Sequence, residues 1–193
     1  MDLIAFIQNR FDLSDAFIRS SGELDKAINH IVQLIRDACC LYMNASYPNS
    51  VFLSITACEE VVKANLGCYV GEKKLDQKGR PLFKQHKTKH ILSAMPTVAM
   101  GNRLQQAIGE LEMRRIIGMA TSGGFLQLRE SALYFQRVNN SLVVPAEKID
   151  RDLARTLILY SIEVFDDSLV GKTSHSIEVR SVTDELFEKI KST

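Results

Sequence analysis

The sequence lacks an excess of charge of either sign. Its 193 residues carry 24 lysines and arginines against 23 aspartates and glutamates, which gives a formal net charge of +1. A globally basic protein, which would bind nucleic acid through its overall charge, is therefore excluded, and any site for a polyanion has to come from local clustering. Hydrophobic residues make up 46% of the chain and charged residues 24%, a balance that predicts a single globular domain over residues 1–193.

The chain also lacks paired cysteines. Its four cysteines form no C-x-x-C motif, and the adjacent Cys39 and Cys40 cannot easily bridge each other, while Cys58 and Cys68 lie in an apolar helical pattern. A chain of this length can bury a sizeable core without disulfides or a structural metal. We therefore predict buried free thiols in a protein of a reducing compartment.

Segments typical of secretion or membrane insertion are absent from the sequence pattern. The N-terminal segment contains Asp2 and only a short apolar run before Arg10, unlike a secretory signal peptide. Residues 38–58 carry no charge, but Pro48 in their middle would break a spanning helix, so we predict two helices that meet at a turn. These features predict a cytoplasmic protein with no membrane partner.

An apolar repeat of three and four residues runs through most of the chain and predicts an all-α bundle of five to six helices. A polar segment with Gly79 and Pro81, residues 72–82, is predicted to be a loop. The last helix is expected to begin with Ser181 and Asp184 at capping-box spacing. The predicted helices cover roughly 22–44, 48–71, 83–95, 100–120, 145–169 and 182–191.

Residues 131–145 interrupt the helical period and predict a short β-hairpin. Apolar residues stand on both sides of Asn139-Asn140, and asparagine tolerates the left-handed dihedral angles that a tight hairpin turn demands. An extended loop is the alternative interpretation of this segment.

Positive charge is concentrated in residues 72–90, which hold seven lysines and arginines against two acidic residues. A solvated loop explains such a cluster, and a phosphate-binding surface is the alternative. In the second case the candidates for contact with RNA are Lys84, Lys87, Lys89 and His90.

Glu59 and Lys63 form a candidate acid–base pair on the second predicted helix. At 100° per residue, Glu59 lies beside the apolar stripe of this helix, and Lys63 follows it by one turn. Because a carboxylate at the edge of a core is costly unless it is paired, we predict that these two side chains interact. The pair is either an ordinary helix ion pair or an acid and a base on the wall of a cleft.

Arg80 and His86 are candidates for the chemistry of phosphodiester cleavage. A guanidinium can stabilise the charge that develops on a phosphate, and an imidazole can transfer protons to and from the reacting oxygens. His86 and His90 share one helix face, but no glutamate of the zincin pattern lies between them, so we predict neither a metal site nor a cofactor.

Three segments together resemble the AbiV family of abortive-infection proteins, which belongs to the HEPN superfamily of helical domains. They are Glu-Glu-x-x-Lys within residues 54–64, His-Lys-x-Lys at residues 86–89, and Leu-Tyr-Phe at residues 133–135, followed by Pro145 before a long helix. The resemblance predicts an HEPN-like core over about 22–170.

The resemblance implies a cytoplasmic bacterial protein that arrests the phage-infected cell by cleaving RNA or by inhibiting translation. Many HEPN proteins are metal-independent endoribonucleases that form a cleft across a homodimer with an Arg-x4–6-His motif, a spacing that Arg80 and His86 meet, although Pro81 departs from the usual polar residue. The implied catalytic set is Glu59, Lys63, Arg80 and His86, and a phage-encoded activator is a further candidate partner. The alternative is a non-catalytic helical interaction module that binds a phage protein or the translation machinery.

Overall fold

The structure, a computed structural model, describes residues 15–99 and 102–193, and of residues 96–99 it describes the backbone alone. The predicted all-α class with a small hairpin is confirmed, although the described residues form nine α-helices rather than five or six. A 3-10 helix covers Leu82–Lys84, and the strands are β1 (Gln136–Val138) and β2 (Ser141–Val143). The helices are α1 (Ser21–Met43), α2 (Tyr47–Gly67), α3 (His86–Ala99), α4 (Arg103–Ile108), α5 (Glu110–Ser122), α6 (Gly124–Leu133), α7 (Pro145–Lys148), α8 (Arg151–Leu169) and α9 (Ser174–Lys191).

Helices α2 and α8 form the centre of the core. α2 packs against α1, α8, α3 and α6, and α9 covers α8 and α1 from the outside. The largest fully buried side chains include Tyr160 and Phe165 of α8, Phe125 of α6 and Phe187 of α9. Aromatic side chains bury large apolar areas, so these residues contribute much of the packing energy of the bundle. This packing places one face of α2 directly against α3 and α6.

The uncharged segment 38–58 is divided between α1 and α2, as predicted. Its turn passes through Asn44 and Ala45, and the backbone φ of Ala45 is +58°. Pro48 lies in the first turn of α2, where its missing N–H leaves no hydrogen bond unmade. Across the described residues, no helix combines the length and the apolar character needed to cross a membrane.

Three cysteines are buried, as predicted, while Cys40 is exposed on α1, and all four thiols are free. Burial raises the pKa of Cys39 to about 12 and raises the pKa of Cys58 and of Cys68 above its usual value. The three buried thiols therefore act as small apolar side chains.

The prediction of one helix over 100–120 is wrong. Met100 lies outside the described residues, and the rest of the segment is divided into α4 and α5 at Gly109, whose φ is +84°. Helical dihedral angles are impossible at this φ, so the chain changes direction there. The sequence analysis also missed α6: Gly123, with a φ of +95°, ends α5, but the chain resumes helical structure at once.

Five other helix boundaries differ from the prediction. α2 ends at Gly67 rather than near residue 71, and α3 begins at His86 rather than at residue 83, after the 3-10 helix. α3 continues past Pro96 to Ala99, because a proline removes one N–H and kinks a helix without necessarily ending it. The predicted helix 145–169 is interrupted after one turn, and the carboxylate of Asp150 caps α8 by accepting from the N–H of Leu153 at 2.9 Å. The last helix begins at Ser174 rather than at residue 182. Thr173 caps it, whereas the Ser181 hydroxyl donates within the helix.

The predicted β-hairpin is confirmed. Its strands are antiparallel, and Gln136 pairs with Val143 while Val138 pairs with Ser141. Asn139 and Asn140 have φ values of +47° and +64°. Two consecutive left-handed residues form the type I′ turn whose twist matches that of the strands.

Candidate functional site

The carboxylate of Glu59 is the centre of a polar network between α2 and α3. Glu59 is 3% exposed. Its Oε2 accepts from His86 Nδ1 at 2.7 Å and from Lys89 Nζ at 3.1 Å, and its Oε1 accepts from His90 Nε2 at 2.8 Å. Residues 86, 89 and 90 follow each other at helical spacing, so the first turn and a half of α3 directs all three side chains to one face. We call Glu59, His86, Lys89 and His90 the Glu59 network.

The Glu59 network keeps its carboxylate ionised. Burial alone would raise the pKa of Glu59, but the hydrogen bond from His90, the charge of Lys89 and the hydrogen bond from His86 outweigh it and lower this pKa from 4.5 to about 2. An ionised carboxylate only accepts hydrogen bonds. The protons that face it are therefore carried by Nδ1 of His86 and by Nε2 of His90, which fixes the orientation of both rings.

The two histidines of the Glu59 network differ sharply in exposure. The side chain of His86, at the first residue of α3, is 41% exposed, and within the described residues its Nε2 accepts no hydrogen bond and donates none. His90 is fully buried and packs edge-on against Phe125, with ring centroids 5.6 Å apart. His86 can therefore meet a ligand from solvent, while His90 belongs to the core.

Arg129 of α6 also approaches this carboxylate. Its Nε lies 4.0 Å from Glu59 Oε1, and its guanidinium carbon lies 4.9 Å from the centroid of the Phe52 ring. This residue is absent from the predicted site, because α6 was not predicted. A lone arginine that lies 70 residues from Glu59 carries no local signal, so only the packing of α6 against α2 could reveal it.

Lys63 and Arg80 do not join the Glu59 network. Lys63 pairs with Glu60 at 3.2 Å rather than with Glu59, so the predicted pair is wrong: the ammonium beside Glu59 comes from Lys89. The guanidinium of Arg80 donates twice to Asp76 within the loop, at 2.9 and 2.8 Å, and Arg80 lowers the pKa of that carboxyl.

Lys63 nevertheless lies on the same side of the molecule as the start of α3. Its ammonium is 5.5 Å from the Phe17 ring, and this ring lies 5.0 Å from that of Phe83, three residues before His86. The structure therefore brings Glu59 and His86 together as predicted, but the ammonium at this carboxylate belongs to Lys89 and not to Lys63.

The four predicted RNA-contact residues divide by burial. Lys84 and Lys87 are exposed: Lys84 is the last residue of the 3-10 helix, and Lys87 is the second residue of α3. Lys89 and His90 are buried and directed to Glu59, because their positions on α3 face α2. Direct contact with RNA therefore remains open to Lys84 and Lys87 alone, and we correct the assignment of the other two. In the described part of the chain, no group of three or more His, Cys, Asp or Glu side chains is placed to hold a metal ion.

Comparison with family models gives one match that covers most of the chain. The model described as AbiV, of the HEPN group, matches residues 22–164. The chain belongs to the AbiV family. The match includes Glu59, His86 and Arg129, and membership of AbiV assigns the chain to HEPN-type phage defence by abortive infection. Comparisons with curated proteins and with solved structures found no match.

Proposed function

We propose that this member of the AbiV family arrests the infected cell as a metal-independent endoribonuclease in which His86 transfers protons. The observation that carries the proposal is the 2.7 Å contact between a buried, ionised carboxylate and Nδ1 of a half-exposed histidine. A carboxylate in this position holds an imidazole in one tautomer and one orientation, and it stabilises the imidazolium that forms during proton transfer. The lone pair of Nε2 then faces the substrate side.

The proposed reaction is transesterification at one phosphodiester of RNA. Nε2 of His86 accepts the proton of the 2′-hydroxyl as that oxygen forms a bond to phosphorus. The bond from phosphorus to the 5′-oxygen breaks, and this oxygen takes up a proton, so the products are a 2′,3′-cyclic phosphate and a 5′-hydroxyl. Glu59 acts as a positioning residue that does not itself touch the substrate.

Exposed lysines next to His86 support RNA as the substrate class. Lys84 and Lys87 lie two residues before and one residue after the histidine, and neither forms a salt bridge with a described acidic residue. A single-stranded polyanion that binds such lysines releases counterions, which gives affinity without sequence preference. We assign RNA contact to these two lysines.

The reaction needs a proton acceptor and a proton donor, while the Glu59 network offers one exposed imidazole. We therefore propose a homodimer in which each protomer supplies one His86, and we expect it to act on cytoplasmic RNA or on a component of translation. A phage-encoded activator is a proposed trigger. Analytical ultracentrifugation tests the dimer directly.

The experiment that tests RNA cleavage compares purified wild-type protein with His86→Ala and His86→Gln on a labelled single-stranded RNA. Glutamine retains an N–H donor for Glu59 but cannot transfer protons, so both variants should lose at least about 100-fold in rate. His30→Ala, at an exposed position of α1, is the control and should cleave normally. The proposal fails if wild-type protein leaves RNA intact, or if His86→Gln cleaves at the wild-type rate with an unchanged melting temperature.

A second candidate function is a non-catalytic module that binds a phage protein or the translation machinery. It is favoured by an apolar surface at the hairpin: Tyr134 and Phe135, just before β1, are 64% and 69% exposed, and Leu142 of β2 is 55% exposed. Exposed apolar patches often mark protein interaction sites. In this case Phe135→Ser should abolish defence in cells, while His86→Gln should leave defence intact.

A further inference from the structure

Arg129 is a half-buried arginine that has a long ion-pair contact with Glu59 but donates no hydrogen bond to a described residue. Within residues 15–99 and 102–193, three arginines are of intermediate exposure: Arg103, Arg129 and Arg155. Arg103 donates to Glu163 at 3.0 Å, and Arg155 donates to the backbone carbonyl of Ile190 at 3.2 Å. Arg129 forms no hydrogen bond with a described residue, and its buried Nε is without a hydrogen-bond partner.

The guanidinium of Arg129 is held by packing against an aromatic ring and by a long, 4.0 Å contact with the Glu59 carboxylate. Its guanidinium carbon lies 4.9 Å from the centroid of the Phe52 ring, a contact that restricts the group, and its terminal nitrogens donate no hydrogen bond within the described residues. The side chain is 26% exposed, so one part of the group reaches solvent. Such a group is preorganised for a planar, two-point contact with an anion.

Arg129 and His86 share the carboxylate of Glu59. The two residues approach different oxygens of the Glu59 carboxylate, His86 at Oε2 and Arg129 at Oε1. The single negative charge of Glu59 faces the positive charges of both Lys89 and Arg129, so one positive charge is left over at this site even when both histidines are neutral. An anion that binds next to His86 would neutralise it.

We propose that Arg129 binds the scissile phosphate of RNA through its non-bridging oxygens, next to the imidazole of His86. This inference rests on the proposed ribonuclease function and adds the group that contacts the phosphate. Arg129 thereby takes the position that the sequence analysis gave to Arg80, whose guanidinium is held by Asp76. The arginine and the histidine come from α6 and α3 rather than from one continuous motif.

The test separates binding from cleavage by using a single-stranded 2′-O-methyl RNA, which has no nucleophilic 2′-hydroxyl and cannot be cleaved in this way. Fluorescence anisotropy at several salt concentrations measures its affinity for wild-type protein, Arg129→Gln and Arg129→Lys. Loss of one phosphate contact should weaken binding by Arg129→Gln and reduce the salt slope by about 0.7. Arg114→Gln removes an equally charged but 76% exposed residue, and it should keep the wild-type slope.

Arg129→Lys is the control for effects of misfolding, because it retains the charge and most of the aliphatic part of the side chain. It should keep the salt slope but cleave unmodified RNA at least about 10-fold more slowly, since an ammonium cannot make the two-point contact. The proposal is overturned if Arg129→Gln, folded by its melting curve, binds 2′-O-methyl RNA with the wild-type slope, or if wild-type protein does not bind it at all. If wild-type protein binds this RNA with a slope that depends on Arg129 but cleaves no RNA, the ribonuclease proposal fails and the phosphate contact stands.

Discussion

Glu59→Gln should destabilise the fold more than any other single substitution of a charged residue on α2. The variant leaves the ammonium of Lys89, which is 6% exposed, without a negative partner. It also turns one acceptor of the Glu59 network into an NH2 group that faces N–H donors. Breaking a buried ion pair by removal of one partner typically costs about 3–5 kcal/mol of the free energy of unfolding, and we expect a loss in this range.

The pKa of Glu59 gives a second estimate of its contribution to the free energy of unfolding. Folding lowers this pKa from 4.5 to about 2, and at about 1.4 kcal/mol for each pH unit this difference corresponds to about 3 kcal/mol of stability. Because the folded pKa lies below the unfolded one, the contribution is complete above pH 4.5 and is lost as the pH falls through about 2. The stability difference between wild-type protein and Glu59→Gln should therefore shrink on acidification.

Urea denaturation followed by far-UV circular dichroism, at pH 7 and at about pH 3, measures both effects. Glu60→Gln is the matched control, one residue further along α2. It removes the partly exposed pair with Lys63 and should cost at most about 1 kcal/mol at either pH. A loss below about 1 kcal/mol for Glu59→Gln at pH 7, or an equal loss at both pH values, would refute the description of Glu59 as an ionised centre of the site.

Two further predictions concern the backbone and the thiols. Gly109→Ala places a side chain at a φ of +84° and should lower the free energy of unfolding by about 1–3 kcal/mol. Gly118→Ala lies inside α5 with open space around it and should raise the free energy of unfolding by about 0.4–1 kcal/mol. Thermal denaturation measures both changes, and effects of the same sign would contradict the assigned conformations. Ellman's reagent should titrate one rapid thiol, that of Cys40, in the native protein and four thiols after unfolding, because Cys39 and Cys58 are buried with raised pKa values. Rapid reaction of a second thiol in the native protein would show that a buried site opens.

The fold class could be predicted from local patterns. The incorrect predictions concern places where tertiary contacts or single dihedral angles determine the structure. The apolar periods of α1 and α2 and the Asn139-Asn140 turn are local signals, and each predicted its element correctly. The break at Gly109 was missed, since a glycine within an apolar repeat is compatible with a continuous helix and with a turn. α6 was missed because Gly123, which precedes it, and Gly124, its first residue, were interpreted as the end of helical structure.

The candidate site was predictable to the extent that helical spacing determines it. The wheel of α2 placed Glu59 beside the core, and the resemblance joined it with His86. A wheel shows on which face a side chain lies but not which helix covers that face, so Lys63 was chosen over Lys89. The contribution of Arg129 depends entirely on how α6 packs against α2, which no spacing encodes.

Burial gives the two histidines of the Glu59 network different functions, although they share a helix face and a carboxylate. His90 pairs with Glu59 in the core, so its replacement leaves a buried acceptor without its donor and acts on folding. His86 makes an equally short contact but keeps one ring nitrogen at the surface, so its replacement acts first on chemistry. Loss of defence alone cannot separate these cases, because an unfolded protein and an inactive one protect a cell equally badly. Stability measured beside activity does separate them: a His90 variant should lose both together, and a His86 variant should lose activity while it stays folded.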